Sequence, residues 1–166
     1  MRRAAGDAAQ GYVRSHASEY HLFSAGGHLA AQTVTHFDAG NPAAQDTIER
    51  ASSRPDFAIL SCPVIGPLGG RAKWNFENIL HQEPSAKQIE ELSPDLHVTG
   101  ETPTTFIMQS DDDETVSAMN SIHSYAALKA AGVPAELQVY RTGGQVADWR
   151  RWMWFSPRTR CEWLIG

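Results

Sequence analysis

An α/β fold, with a mostly parallel sheet flanked by helices, is predicted for this 166-residue chain by three observations. Strand-like and helix-like segments alternate through most of the sequence, the pattern that right-handed crossover connections produce. Phe57-Ala58-Ile59-Leu60 and Thr105-Phe106-Ile107-Met108 are continuous apolar runs, as expected of strands buried on both faces of a parallel sheet. Tyr20-His21-Leu22-Phe23 runs through the small residues Ser24-Ala25-Gly26-Gly27 into a helical pattern, which reads as a strand, a sharp turn and a helix.

Taken in order, Ala8, Ala9, Tyr12, Val13 and His16 fall at helical spacing, so a helix is expected from Asp7 to Ser18 with Asp7 as its N-cap. Tyr20 to Phe23 leaves room for a very short strand at most. The helix after the turn is expected to bury Leu29, Ala30 and Thr33 and to end before Gly40-Asn41-Pro42. Phe57 to Leu60 is bounded by Pro55 and Pro63, and Gly66 to Thr102 reads as an irregular excursion. Within that excursion Ser85 and Gln88 form a capping box that opens a short helix through Leu92. Beyond the strand at Thr105, Ser110 to Glu114 is an acidic loop, and Met119 to Ala131 is a helix closed by Gly132 and Pro134. Leu137 and Val139 alternate with Glu136, Gln138 and Tyr140, which predicts a third strand. Trp149, Trp152, Trp154 and Trp163 crowd the C-terminus, where packing of a terminal helix is favoured over a sugar-stacking platform.

Composition narrows the function classes. With 42% hydrophobic and 20% charged residues the chain reads as one folded domain over residues 1–166. A net charge of −5 offers no basic footprint for nucleic acid or an anionic membrane. No apolar run approaches the roughly 20 residues that span a bilayer. Arg2 and Arg3 have no apolar stretch behind them, so a cytoplasmic location is expected. Cys62 and Cys161 are far apart and flanked by apolar residues, as buried free thiols would be. The histidines at 16, 21, 28, 36, 81, 97 and 123 match no zinc spacing, and no metal is expected.

Phe23-Ser24-Ala25-Gly26-Gly27-His28-Leu29-Ala30 resembles the nucleophile elbow of α/β-hydrolases, in which a strained turn exposes a serine oxygen. Blocks that follow are collinear with the same superfamily: Arg54 to Leu60, Leu92 to Thr99, Thr102 to Phe106, Asp112 to Val116, Tyr125 to Lys129, Ala131 to Leu137 and Gly143-Gly144. Together they resemble the bacterial carbohydrate (acetyl-xylan) esterase branch, also called the BD-FAE-like esterases. The resemblance implies a serine esterase without a cofactor, acting on a small ester or acylated carbohydrate. It implies Ser24 as nucleophile, the Ala25 N–H as oxyanion donor and Asp113 as the acid, because Val116 follows Asp113 at the family's spacing. Asp111 and Asp112 are alternative acids, and a solvated loop is the plain reading of all three.

The chain departs from the family at several positions. Gln145 stands directly behind Gly143-Gly144, where the family carries its catalytic histidine, and an amide cannot take a proton near neutral pH. Leu22 replaces an elbow glycine, which predicts crowding of the strained turn. The family's first strands and its His-Gly-Gly-Gly loop have no counterpart, so a partial fold with an open sheet edge and a tendency to self-associate is expected. Two readings follow: an esterase with impaired or no activity, or a non-catalytic remnant that serves as a binding or interaction module.

Overall fold

The computed structural model describes residues 19–67 and 72–145, with backbone alone for 19–21 and 72–75. The expected helix at Asp7 to Ser18, Cys161 and the C-terminal tryptophans lie outside the described residues. Four strands, β1 (Glu19–Phe23), β2 (Phe57–Ser61), β3 (Thr104–Ser110) and β4 (Ala135–Tyr140), form one sheet in the order β1-β2-β3-β4. Every neighbouring pair is parallel, with Glu19 opposite Phe57, Phe57 opposite Thr104 and Thr105 opposite Ala135. This is the partial α/β-hydrolase sheet that the resemblance implied. Among the described residues β1 pairs with β2 alone, leaving its other edge without a strand. No helix among them is long and apolar enough to cross a membrane.

Helices α1 (Ala25–Thr35) and α4 (Met119–Ala130) carry the chain from β1 to β2 and from β3 to β4. Between β2 and β3 lie α2 (Ala72–Leu80), α3 (Ala86–Glu91) and a short 3₁₀ helix at Pro94–His97. The main core joins Ala30, Ala31 and Val34 of α1 and Leu128 of α4 to Ala58, Leu60 and Ile107 of the sheet. A second cluster joins Val64, Phe76 and Val116.

The structure corrects several expectations. Helix α2 and the 3₁₀ turn occupy stretches that read as irregular. The buried residues of α1 are Gly27, His28, Ala30, Ala31 and Val34, whereas Leu29 is exposed and Thr33 half-buried. Glycine and alanine on this face let α1 approach the sheet closely, while Leu29 is turned away. The strand before the turn is longer than expected and pairs with β2 along all five residues. Phe57, Ala58 and Leu60 are buried as foreseen, and Ile59 is half-buried. The capping box forms, with Ser85 accepting from the Gln88 N–H and Gln88 Oε1 accepting from the Ser85 N–H.

Helix α4 ends as its Gly132 and Pro134 suggested. Gly132 takes φ +75, its N–H donates to Lys129 O, and the Val133 N–H reaches back to Leu128 O. Gly27 serves a different need, because a Cβ there would lie 2.9 Å from the Cα of Pro63. Two glycines can therefore be ranked. Gly27→Ala is expected to lose about 1–2 kcal/mol net of stability, the backbone clash outweighing the ~1 kcal/mol helical preference of Ala. Gly132→Ala meets no atom within 4 Å, and its loss of about 1 kcal/mol is the left-handed backbone alone. Urea denaturation of both variants measures the two losses; an unchanged midpoint for Gly27→Ala would refute the close approach.

Candidate active site

Because the strands are parallel, their C-terminal ends lie along one edge of the sheet, where ligands of open α/β sheets are bound. Each strand delivers one component there: Ser24 follows β1, Cys62 follows β2, Asp111 to Asp113 follow β3, and Gly143 to Gln145 follow β4.

Ser24 sits between β1 and α1 at φ 56 and ψ −123, outside the regions open to a residue with a Cβ. Holding it there costs on the order of 1–3 kcal/mol, which neighbouring backbone bonds must offset. The Ser24 N–H donates to Ser61 O at 3.0 Å, and Ser24 O accepts from the His28 and Val64 N–H groups at 3.1 and 3.3 Å. The strained turn thus forms despite Leu22, contrary to the crowding expected. Leu22 packs beside Gly26, where even an added Cβ would lie 3.4 Å from Leu22 Cβ, an ordinary van der Waals distance. Ala25 opens α1, so its N–H belongs to the first turn, whose donors have no acceptor within the helix.

Gln145 reaches this serine. Its Nε2 donates to Ser24 Oγ at 2.8 Å, the contact expected of whatever residue stands at that position. The polarity is opposite to that of a general base, since the amide N–H occupies a lone pair of the nucleophilic oxygen and accepts nothing from it.

The three aspartates have different surroundings. Asp113 is buried, at 6% exposure, with Oδ1 accepting from the Thr115 and Val116 N–H groups and Oδ2 from Gln109 Nε2. Gln109 is held in turn by the Ser121 hydroxyl, which donates to its Oε1 at 3.0 Å. Asp112 is exposed, yet its Oδ1 accepts from both Gly143 N and Gly144 N at 2.8 Å. Asp111 is exposed and joins the β3–β4 pairing through its N–H to Tyr140 O. Ser24 and Gln145 are therefore brought into direct contact. Asp113 lies close enough to Cys62 for its charge to act on that thiol.

Cys62 is the component that residue patterns did not point to. It is free and buried, takes φ 39, and its Sγ donates to Gln145 O at 2.8 Å. The only earlier signal was its place directly after an apolar strand. Burial pushes the thiol up to about 11, the Asp113 charge adding to the rise while hydrogen bonds from the Ser24 backbone and Ser61 oppose it. His28 is buried as well; its Nδ1–H donates to Val64 O at 3.0 Å and its ring meets the Phe76 edge at 5.7 Å. Burial holds its pKa below the usual histidine value. His36 and His97 meet in a tilted arrangement, with ring centroids 4.6 Å apart and the ring planes at 55°. Among the described residues no group of three or more His, Cys, Asp or Glu side chains could hold a metal ion.

No protein-family model matches the chain. The acetyl ester-xyloside bifunctional hydrolase from Caldicellulosiruptor lactoaceticus superposes with a TM-score of 0.70 at 38% identity, covering 74% of this chain and 45% of that one. Endo-1,4-beta-xylanase B of Butyrivibrio fibrisolvens is 30% identical over 144 residues, 80% of this chain and 22% of its own length. Acetylxylan esterase of Xylanibacter ruminicola is 30% identical over 164 residues, 89% of this chain and 32% of its own. The chain thus spans less than half the length of each of these relatives.

The thiol yields a prediction with a defined sign. A thiol pKa raised in the folded state keeps Cys62 neutral at pH 8, so iodoacetamide should modify it slowly and about tenfold faster per pH unit up to about 11. The unfolded chain ionises first, at its ordinary thiol pKa. Cys62 therefore stabilises the fold fully below that value, and the contribution is lost as pH rises towards about 11. Peptide mapping of the alkylated chain reads the rate; rapid modification of Cys62 at pH 7 would contradict the buried, hydrogen-bonded thiol.

Proposed function

We propose, for a chain that belongs to the α/β-hydrolase superfamily on its bacterial carbohydrate-esterase branch, that it carries the nucleophile side of an acyl-ester site whose general base has been replaced. One contact carries the reading: Gln145 Nε2 meets Ser24 Oγ at 2.8 Å, at the position where a base would take the serine proton. Ser24 is the nucleophile, the Ala25 N–H receives the oxyanion that forms on an ester carbonyl, and Asp113 is the acid that would orient a histidine at 145. The substrate class is a small ester or an acetylated carbohydrate.

With Gln145 in place the serine oxygen is hydrogen-bonded but never deprotonated. Loss of the histidine alone costs serine proteases on the order of a millionfold in turnover. Hence the site binds an acyl group better than it turns one over. A non-catalytic binding module is the second reading, and the same glutamine favours it.

Gln145→His distinguishes the two. General-base catalysis typically contributes 10²–10⁴-fold, so hydrolysis of p-nitrophenyl acetate is expected to rise by at least about a hundredfold in kcat/KM and to vanish again in Ser24→Ala. Fluorophosphonate should label Ser24 faster in Gln145→His than in the unsubstituted chain. Unchanged hydrolysis together with absent labelling would reject the esterase reading.

A further inference from the structure

We propose that Asp112 is a positioning residue, whose carboxylate fixes the turn after β4 so that the side chain at 145 meets Ser24. The inference rests on the reading of Ser24 and position 145 given above, but it concerns a different residue and a different contact. Asp112 Oδ1 accepts two backbone hydrogen bonds, from Gly143 N and Gly144 N, each at 2.8 Å. Successive N–H groups converging on one anion form a concavity that binds a carboxylate well, and bonds to an ionised acceptor are roughly twice as strong as neutral ones. Gly144 takes φ +59, the left-handed conformation that lets two adjacent N–H groups point the same way and that glycine adopts without strain.

One residue later the Cys62 thiol donates to Gln145 O at 2.8 Å. The backbone around residue 145 is therefore held at two points, by the loop after β3 at 143–144 and by the end of β2 at 145. From that backbone the Gln145 side chain reaches Ser24 Oγ at 2.8 Å.

The neighbouring aspartates divide the work. Asp113 turns inward to Thr115, Val116 and Gln109, while Asp112 turns across to the next loop. Asp112 thus has no need to touch a reacting atom in order to matter. A displacement of about 1 Å at a reacting group can cost on the order of a hundredfold in rate. The two Asp112 bonds tie this turn to the loop after β3.

Two measurements test this, and the first needs no enzymatic activity. Cys62 is read by maleimide labelling at pH 8 and peptide mapping. Asp112→Ala should accelerate labelling by about tenfold or more, since the turn that covers the thiol is released, whereas Asp112→Asn keeps an acceptor oxygen and should stay within about twofold. Equal labelling in the chain and in Asp112→Ala overturns the proposal. Should Asp112→Ala fail to fold, hydrogen exchange of the unsubstituted chain decides: protected amides at Gly143 and Gly144 support the clamp, and unprotected ones overturn it.

The second measurement is made in Gln145→His. There Asp112→Ala should lower kcat for p-nitrophenyl acetate by about tenfold to a hundredfold with KM within about twofold, and Asp112→Asn should recover most of it. An undiminished kcat in Asp112→Ala overturns the proposal. If Gln145→His itself turns nothing over, the labelling and exchange results still decide the clamp.

Discussion

Parallel pairing of the four strands is the constraint from which the site follows. In an antiparallel sheet successive strand ends alternate between opposite edges. Here every crossover returns the chain to the same edge, so residues 24, 62, 112 and 145 meet although about 120 positions separate the first from the last. Register completes the placement. Phe23 stands opposite Ser61, and Ser61 opposite Met108, so the loops leave the sheet at nearly one level. A slip of one residue along β1 would carry Ser24 away from Ser61 O and remove a bond that holds its strained backbone.

Strain and burial meet at that edge, and Ser24, Asp113 and Cys62 each have identifiable partners there. Ser24 is held in its unfavourable conformation by three backbone bonds to β2, to α1 and to the chain beyond β2. The carboxylate of Asp113 leaves water in exchange for two backbone N–H groups and an amide, which keeps a buried anion satisfied. Cys62 goes the other way: next to that anion and away from water, its thiol stays protonated and becomes a hydrogen-bond donor. One neighbourhood thus pairs a hydrogen-bonded buried carboxyl group with a neutral thiol, and both suit the backbone they support.

Much of this was legible in residue patterns, for reasons that can be named. Apolar runs betray strands, so Phe57 to Leu60 and Thr105 to Met108 could be placed, as could the capping box at Ser85 and the glycine stop at Gly132; burial on both faces does not hold for β3, where Phe106 and Met108 are half-buried. Helix α2 was missed because it is only nine residues long and set between the turn residues Gly69-Gly70 and Pro84; its Phe76 packs with Val64 and Val116. The face of α1 was misjudged because Leu29 outranks glycine and alanine in hydrophobicity, while close approach to the sheet rewards the smaller side chains. Leu22 looked like an obstacle because the room it finds beside Gly26 depends on how strand and helix pack, which no local pattern reveals. The parts of the site that lay beyond reach, Cys62 against Gln145 and Asp112 against Gly143 and Gly144, are contacts made across loops. No local pattern encodes them, since each depends on two separate strands ending side by side.

The contact between Gln145 and Ser24 also bears on how such a chain can change over generations. Codons for glutamine and histidine share their first two bases, so a single third-base transversion exchanges the two residues. The strained turn, the buried carboxyl group of Asp113 and the pair of hydrogen bonds that Asp112 accepts are all in place around position 145. They would receive an imidazole on the same backbone that now presents an amide. At this one position, loss and recovery of the base are separated by the smallest step that mutation can take.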